Sequence, residues 1–313
     1  MEPKRILITD DVHPLLYEAL SKDGYEVNFQ PEIKPDEVLA IIHDYTGLIV
    51  NSKVYVGKEM MDRAKKLKFV CRAGSGLEVI DLNYAKEKGI AAFNSPEGNR
   101  NAVAEHALGM LLNLMNHISR ADAEVRQYQW NREENRGNEL SGKTVGLIAF
   151  GNTAQAFAKL LHGFDVNILA YDKYYQRFSY EYITESSLEQ IFEEADVLSL
   201  HLPLTEETKY MIDYKFLSSF KKPYWFINTS RGRVLHTAAL IKCLNEGKII
   251  GAALDVLENE KLDKLSIAEN KDFGELITDK RVLLTPHIAG WTHESKRKIA
   301  EVLLEKIRAL AIG

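Results

Sequence analysis

The stretch from residue 144 to residue 162 reads TVGLIAFGNTAQAFAKLLH, and its pattern decides the fold class. The apolar run at 144–150 predicts a buried strand, and residues 155–162 have apolar side chains at helical spacing. A tight turn at 151–154 joins the two. A strand, a turn and a helix in this order form the first part of a βαβ unit, the building block of parallel sheets.

The same alternation extends in both directions along the 313 residues. Short strand-like runs separated by amphipathic segments indicate parallel sheets that are covered by helices. The chain is therefore predicted to be an α/β protein with two Rossmann-like or flavodoxin-like parallel-sheet domains and a cleft between them. The predicted strands lie at residues 6–9, 27–29, 48–50, 69–71, 91–93, 144–150, 167–171, 197–201, 224–228, 250–255 and 283–285.

The pattern changes after residue 94. Residues 101–129 predict one long helix and residues 130–142 a polar loop, after which the strand–helix alternation restarts. The last segment, from residue 292 to residue 310, predicts one amphipathic helix. We therefore expect a first domain of residues 1–98, completed by a C-terminal helix at 292–313, and a second domain of residues 99–291.

Composition and charge argue against several classes of protein. The formal net charge of −5 gives no electrostatic reason to expect nucleic acid or an anionic membrane as partner. No apolar stretch is long enough to span a bilayer and no signal peptide is visible, which predicts a cytoplasmic protein. Cys71 and Cys243 lie far apart without a CxxC pattern, so neither a disulfide nor a metal site is expected.

The turn after residue 150 has the chemistry of a dinucleotide site. A helix N-terminus offers backbone N–H groups and a positive dipole end to a pyrophosphate. Asp172 ends the next strand, where a carboxylate accepts hydrogen bonds from an adenosine ribose and repels a 2′-phosphate. Gly151 is the middle glycine of a G-x-G-x-x-G pattern whose outer glycines are replaced by Ala149 and Ala154. We expect NAD, bound weakly because of Ala149; a purely structural turn is the alternative.

Three later strands end near residues that suit hydride transfer to a 2-oxo acid. Arg231, Glu260 and His287 each follow a different predicted strand, and the carboxyl ends of parallel strands meet at one edge of a sheet. A guanidinium can bind a carboxylate and polarise a carbonyl, and an imidazole can carry the hydroxyl proton. A neighbouring carboxylate can orient that imidazole. Singly, each residue is explained as an ordinary surface or loop side chain; together they indicate an active site.

From about residue 40 onward the chain resembles the D-isomer-specific 2-hydroxyacid dehydrogenases, most closely their phosphoglycerate dehydrogenase branch. The resemblance implies an NAD-dependent oxidoreductase that transfers a hydride between nicotinamide and C2 of a D-2-hydroxyacid. The first domain would bind the substrate and the second would bind NAD, in a homodimer. The favoured substrate is 3-phosphoglycerate, oxidised to 3-phosphohydroxypyruvate in serine biosynthesis. The matching segments are residues 71–78, 94–99, 103–106, 228–234, 253–256 and 285–290.

The resemblance also implies roles for individual residues. Arg231, Glu260 and His287 would be catalytic, with His287 as the acid/base and Glu260 as its partner. Asp255 would hold the nicotinamide carboxamide, and the backbone N–H groups of residues 72–76 would form an anion nest for the substrate. The substrate-binding residues would be Asn51, Ser52, Lys53, Arg72, Gly74, Ser75 and Gly76. The cofactor-binding residues would be Ser75, Gly151, Asn152, Thr153, Asp172, Leu202, Pro203, Thr229, Ser230, Asp255 and Gly290.

Several positions depart from the family pattern. Asn51 stands where the phosphoglycerate enzymes usually carry an arginine, with Lys53 as a candidate substitute. Lys261 replaces the proline that commonly follows the catalytic glutamate, and His236 replaces a common aspartate.

Two other functions stay open at this point. A hydroxypyruvate or glyoxylate reductase would use the same catalytic residues on an unphosphorylated substrate. A nucleotide-sensing, corepressor-like binding protein would suit the altered glycine pattern, although intact Arg231, Glu260 and His287 argue against it.

Overall fold

In the computed structural model, which describes residues 4–178 and 180–310, the chain divides into two compact units. The first unit comprises Met1–Arg100 and Trp291–Gly313, and the second comprises Asn101–Gly290. Each unit contains one parallel β-sheet. The predicted α/β class with two parallel-sheet domains is therefore confirmed.

The first unit has a sheet of the flavodoxin-like order. Its strands are β1 (Arg5–Ile8), β2 (Glu26–Phe29), β3 (Gly47–Val50), β4 (Phe69–Arg72) and β5 (Ala91–Phe93). They pair in the order β2-β1-β3-β4-β5. The helices that connect them are α1 (Pro14–Lys22), α2 (Pro35–Ile41), α3 (Lys58–Arg63) and α4 (Leu82–Glu87). All four residues of β3 are buried, as expected for a central strand that is covered on both faces.

The second unit has the Rossmann order, extended by one strand. Its strands are β6 (Thr144–Ile148), β7 (Asn167–Tyr171), β8 (Thr184–Glu185), β9 (Val197–Leu200), β10 (Tyr224–Asn228), β11 (Ile249–Leu254) and β12 (Val282–Leu284). They pair in the order β12-β11-β10-β9-β6-β7-β8, so the order reverses beside β6. Ligands of open α/β sheets bind outside the carboxyl ends of the strands at such a reversal.

Two helices precede the strands of the second unit, and the first of them begins in the other unit; the remaining helices follow or connect the strands. They are α5 (Pro96–Asn116), α6 (Ile118–Val125), α7 (Asn152–Leu161), α8 (Leu188–Glu194), α9 (Tyr214–Leu217), α10 (Thr237–Asn245) and α11 (Ile267–Thr278). Among the described helices, none is long and apolar enough to cross a membrane.

The prediction of one helix over residues 101–129 is wrong, because the chain breaks between α5 and α6. His117 adopts a left-handed conformation with φ of 55°. The side chain of Asn113 bridges the break: its Oδ1 accepts the backbone N–H of Ser119 at 2.8 Å, and its Nδ2 donates to the Ser119 hydroxyl at 2.6 Å. This amide satisfies a donor at the start of α6, so the polypeptide can leave the helical path there.

The last helix, α12 (His293–Ala309), belongs to the first unit. Thr292 caps it by accepting the N–H of Ser295 at 3.0 Å. Arg308 forms an ion pair with Asp23 at 2.7 Å, and the Lys306 ammonium donates to the Asn94 carbonyl at 2.9 Å. The buried apolar residues of the helix are Ala300, Leu303, Leu304 and Ile307.

Candidate active site

The turn between β6 and α7 has the form expected for phosphate binding. Gly151 is the N-cap of α7, and a Cβ built on it would have no heavy atom within 4 Å. Asn152, Thr153 and Ala154 form the first turn of the helix, whose backbone N–H groups have no partner within the helix itself. Ala154 is fully buried in the core, which explains why a small residue other than glycine suffices there. The residues present therefore fit a dinucleotide pyrophosphate.

Ala149 adopts the backbone conformation that a glycine would favour. Its φ is +68°, in the left-handed region, and its N–H donates to the Tyr171 carbonyl at 2.8 Å. The turn thus keeps its tight shape in spite of the added methyl group. The consequence is backbone strain of about 1 kcal/mol at this position.

Asp172 ends β7 and ties together two loops. Its Oδ2 accepts the N–H of Phe150 at 2.8 Å, next to Ala149. Its Oδ1 accepts the N–H groups of Tyr174 and Tyr175, both at 2.8 Å. A carboxylate oxygen can accept more than one hydrogen bond, so the same group can also bind ribose hydroxyls.

A buried histidine that the sequence patterns did not single out supports the α7 turn. His201 follows β9, and its Nδ1 lies 3.2 Å from the Thr153 hydroxyl while its Nε2 lies 3.0 Å from the Ser199 hydroxyl. Burial lowers the pKa of His201 to about 3, so the ring is neutral. Leu202 and Pro203 follow directly, and the Pro203 carbonyl accepts the Thr208 hydroxyl at 2.6 Å.

The segment after β10 holds the residues that were assigned to cofactor binding (Thr229 and Ser230) and to catalysis (Arg231). The Asn228 side chain accepts the N–H of Ser230 at 3.0 Å and donates to the Arg231 carbonyl at 3.2 Å. The Thr229 hydroxyl is buried and, within the described part of the chain, has no hydrogen-bond partner. An unpartnered buried hydroxyl at this edge of the sheet is consistent with a polar cofactor group that binds against it.

Asp255, which follows β11, organises the loop that carries His287. Its carboxylate is 1% exposed, and it accepts the N–H groups of Ile288 at 2.8 Å and Ala289 at 2.9 Å. The Thr285 hydroxyl donates to the same carboxylate at 2.6 Å. The sequence assigned Asp255 to the nicotinamide carboxamide; in the structure its carboxylate holds the His287 loop, which continues to Gly290.

A second histidine, to which the sequence analysis assigned no role, joins this cluster. Nε2 of His106, on α5, lies 3.0 Å from the Thr285 hydroxyl and 3.6 Å from Oδ1 of Asp255. His106 stood in one of the segments that resemble the family, but nothing in its spacing pointed to the end of β12. The contact joins positions 179 residues apart.

His287 and Glu260 form a hydrogen-bonded pair. Nδ1 of His287 lies 2.9 Å from Glu260 Oε1 and 3.0 Å from Oε2, and both side chains are about half exposed. Burial raises the pKa of Glu260, but the hydrogen bond from His287, the charge of His287, a backbone hydrogen bond at Leu257 and the charge of Arg231 together outweigh this effect, so the pKa lies below its usual value. A carboxylate that stays ionised beside an imidazole can fix the ring's orientation and support its charged form.

In the first unit, the predicted substrate residues lie after β3 and β4. Arg72 Nε donates to the Asn51 carbonyl at 3.1 Å, and its guanidinium lies 3.6 Å from the Glu78 carboxylate. Asn51, Ser52 and Lys53 follow β3, and Lys53 donates from its ammonium to the backbone carbonyl of Pro31.

The expected anion nest at residues 72–76 is reduced. The N–H of Ala73 donates to the Val50 carbonyl at 2.8 Å and extends the pairing of β3 with β4, and the N–H of Gly74 donates to the Arg72 carbonyl at 2.9 Å in a tight turn. Ser75 and Gly76 are left to supply nest donors, and the Ser75 carbonyl is bonded by the Asn94 amide at 2.5 Å.

Comparison with known protein families identifies the family to which this chain belongs. The profile of the D-isomer specific 2-hydroxyacid dehydrogenase, NAD binding domain, matches residues 108–289. The chain belongs to the D-isomer-specific 2-hydroxyacid dehydrogenase family. The predicted family, the NAD-dependent oxidoreductase class and the NAD cofactor are thereby confirmed.

Relatives of this dehydrogenase differ in substrate. The hydroxypyruvate reductase of Thermotoga maritima is 36% identical over 92% of this chain and 92% of its own length. The D-3-phosphoglycerate dehydrogenase of Methanocaldococcus jannaschii is 34% identical over 99% of this chain, which spans only 58% of that relative. A D-lactate dehydrogenase from Aquifex aeolicus, solved with NAD and lactic acid, has a TM-score of 0.83 and 27% identity over 98% of this chain and 95% of its own.

We predict that Ala149→Gly relieves the strain of the left-handed turn and stabilises the folded dehydrogenase by about 1 kcal/mol. The substitution also removes a methyl group from the pyrophosphate turn, so we expect several-fold tighter NADH binding. Thermal unfolding and NADH titration measure the two effects. Ala149→Ser keeps a Cβ and serves as the matched control; a parent protein that binds NADH as tightly as the glycine variant would show that the methyl group does not face the cofactor.

Proposed function

We propose that this dehydrogenase interconverts a short D-2-hydroxyacid and the corresponding 2-oxo acid with NAD. The observation that carries the proposal is the hydrogen-bonded His287–Glu260 pair, which follows the ends of β12 and β11 in the sheet where Arg231 follows the end of β10. This pair combines a proton donor with a carboxylate that stabilises its charged form, which is what reversible proton transfer to a carbonyl oxygen needs.

Each group has a defined task in the proposed reaction. NADH, when bound, supplies the hydride that adds to C2 of the 2-oxo acid. Arg231 binds the substrate carboxylate and polarises the carbonyl. Nε2 of His287 donates its proton to the carbonyl oxygen as C2 becomes an alcohol carbon, while Nδ1 stays bonded to Glu260. The oxidation of the hydroxyacid is the reverse, with neutral His287 accepting the hydroxyl proton.

The surroundings of Arg72 favour an unphosphorylated substrate such as hydroxypyruvate or glyoxylate. The Arg72 guanidinium is already paired with Glu78 and bonded to the Asn51 carbonyl, so its charge is partly neutralised. The Lys53 ammonium keeps its charge, but it is directed to the Pro31 carbonyl. A phosphate dianion needs uncompensated cations, because a neutralised pair attracts it weakly. The 36% identity to a hydroxypyruvate reductase supports the same substrate class.

3-Phosphoglycerate, the substrate that the sequence favoured, is the second candidate and is supported by the D-3-phosphoglycerate dehydrogenases among the relatives. The homodimer also belongs to the proposal. Its support is the apolar surface of α6 and the loop that follows, where Ile118, Val125 and Trp130 are exposed. The cytoplasmic location and the role in serine biosynthesis stay predictions from the sequence.

We predict that His287→Ala lowers kcat by about 100-fold or more, because general acid–base catalysis is lost. The pKa of Glu260 in the folded protein is below that of an ordinary glutamate, so the carboxylate stays charged when the pH falls past the ordinary glutamate pKa. We therefore expect kcat/KM to fall only when the pH passes the lowered pKa of Glu260. Glu260→Gln should remove this acid limb. Steady-state pH profiles test both; exposed His293 provides the matched control, and a His287→Ala enzyme as active as His293→Ala would refute the assignment.

We predict a preference for NADH over NADPH of at least about tenfold in kcat/KM, since a 2′-phosphate beside Asp172 meets like charge. Lys173, the nearest cation in sequence, is ion-paired with Glu207, whose other oxygen accepts the Tyr174 hydroxyl. Glu207→Gln frees the ammonium and should raise kcat/KM for NADPH but not for NADH. Equal use of both cofactors by the parent enzyme would contradict this prediction.

We predict that Asn51→Arg shifts specificity toward 3-phosphohydroxypyruvate, because it adds a cation that Glu78 does not already neutralise. The ratio of kcat/KM for 3-phosphohydroxypyruvate to that for hydroxypyruvate should rise by about tenfold or more. Tyr55→Arg, at a side chain that is 62% exposed, adds the same charge on the nearby surface and should leave the ratio unchanged. A parent enzyme that already prefers the phosphorylated acid would instead support the second candidate.

A further inference from the structure

The N-terminus of α10 is capped by a side chain from another loop. His236 occupies the N-cap position, where Ser, Thr, Asp and Asn are preferred, and it makes no side-chain cap hydrogen bond. The N–H of Thr237 donates instead to Oε2 of Glu258 at 3.1 Å. Glu258, which lies 21 residues further along the chain than Thr237, thus supplies the hydrogen-bond acceptor that the N-cap residue lacks.

The loop of Glu258 is attached to the Arg231 segment at two more points. Gly232 packs directly on the backbone of Leu257 and Glu258, since a Cβ on Gly232 would overlap the Leu257 carbonyl group. Nε of Arg233 donates to the main-chain carbonyl of Glu258 at 3.4 Å. The segment that carries Arg231 and the loop that carries Glu260 are therefore packed together backbone to backbone.

Glu258 is the side chain that makes this attachment specific. It lies two residues before Glu260, and the backbone at Leu257 contributes a hydrogen bond to the Glu260 carboxylate. A shift of the loop would move that carboxylate relative to His287, to which it is bonded at 2.9 Å. The charged groups that act on Glu260 are His287 and Arg231.

We propose that Glu258 is a positioning residue: by accepting the Thr237 N–H, it holds the Glu260 loop against the Arg231 segment and so keeps Glu260 in contact with His287. The inference rests on the proposed function, in which that pair transfers the proton. It differs from a purely structural helix cap, which would stabilise α10 without any effect on Glu260.

Four variants of the full-length chain separate the two roles. Glu258→Ala removes both the cap and the attachment. Glu258→Gln keeps a side-chain oxygen that can accept the Thr237 N–H. His236→Asp places an acceptor at the N-cap itself, so Glu258→Ala/His236→Asp restores capping within α10 but not the attachment of the loop.

The decisive measurement is the pKa of the Glu260 carboxyl, followed through its carbon resonance in protein labelled with ¹³C-glutamate and assigned with Glu260→Gln. Thermal unfolding and the pH profile of kcat/KM accompany it. In Glu258→Ala we expect a lower Tm, a Glu260 pKa that rises toward the ordinary value of a glutamate, and an acid limb of the pH profile that moves up with it. At neutral pH, kcat/KM should fall about tenfold, because the pair is misplaced.

In Glu258→Ala/His236→Asp we expect the Tm to recover while the raised Glu260 pKa and the lowered kcat/KM persist. Glu258→Gln and His236→Asp alone should keep the parent pKa. Recovery of both Tm and Glu260 pKa in the double variant, or a Glu260 pKa that no variant moves, would overturn the proposal. If Glu258→Ala does not fold, the double variant carries the test. The carboxyl titration needs no turnover, so an inactive parent protein would refute the proposed function and leave this test intact.

Discussion

The loop after β12, which carries His287, depends on one buried charge, the carboxylate of Asp255. Burying an ionised carboxylate is unfavourable unless hydrogen-bond donors surround it. Here the donors come from the loop after β12: two backbone N–H groups, of Ile288 and Ala289, and the Thr285 hydroxyl. Because the charge needs these donors, the loop has one favourable arrangement, and His287 occupies it with a φ of 57° that an isolated chain would seldom adopt.

Side chains that accept backbone N–H groups also fix the loops at other strand ends of this sheet. Asp172 accepts backbone N–H groups from the loops after both β6 and β7, and Asn228 fixes the turn that ends in Arg231. In each case a polar side chain at a carboxyl end takes the backbone donors of a loop that has no sheet partner of its own. A parallel sheet gathers its loops at one edge, and these acceptors make that edge rigid enough to hold catalytic groups in register.

The sequence predicted every described strand except the two-residue β8, together with the sheet class and the placement of Arg231, Glu260 and His287 after strand ends. These features follow from local hydrophobic periodicity and the rules of parallel sheets. The sequence did not predict the break at His117, which depends on one amide that reaches six residues along the chain. The contacts of His106 and His201 were missed for a different reason. Each depends on side chains that meet only after the sheet has formed, and no local pattern encodes such a contact.

The departures from the family pattern differ in whether the structure compensates them. At Ala149 the backbone keeps the left-handed turn and accepts the strain, and at His236 a carboxylate from another loop replaces the missing cap. Both changes leave the geometry at the sheet edge intact, so they are compatible with retained chemistry.

Asn51 differs from those two positions. The neighbouring Arg72 is paired with Glu78, and the Lys53 ammonium is bonded to a backbone carbonyl. The charge of Arg72 is therefore partly neutralised, whereas Lys53 keeps its charge but is directed to the Pro31 carbonyl. A change that is compensated preserves a function, whereas one that is left uncompensated alters what the protein recognises. In the proposed function, the chain would thus keep the groups that move the proton and would depart from its phosphoglycerate relatives at a position expected to bind the substrate's second charge.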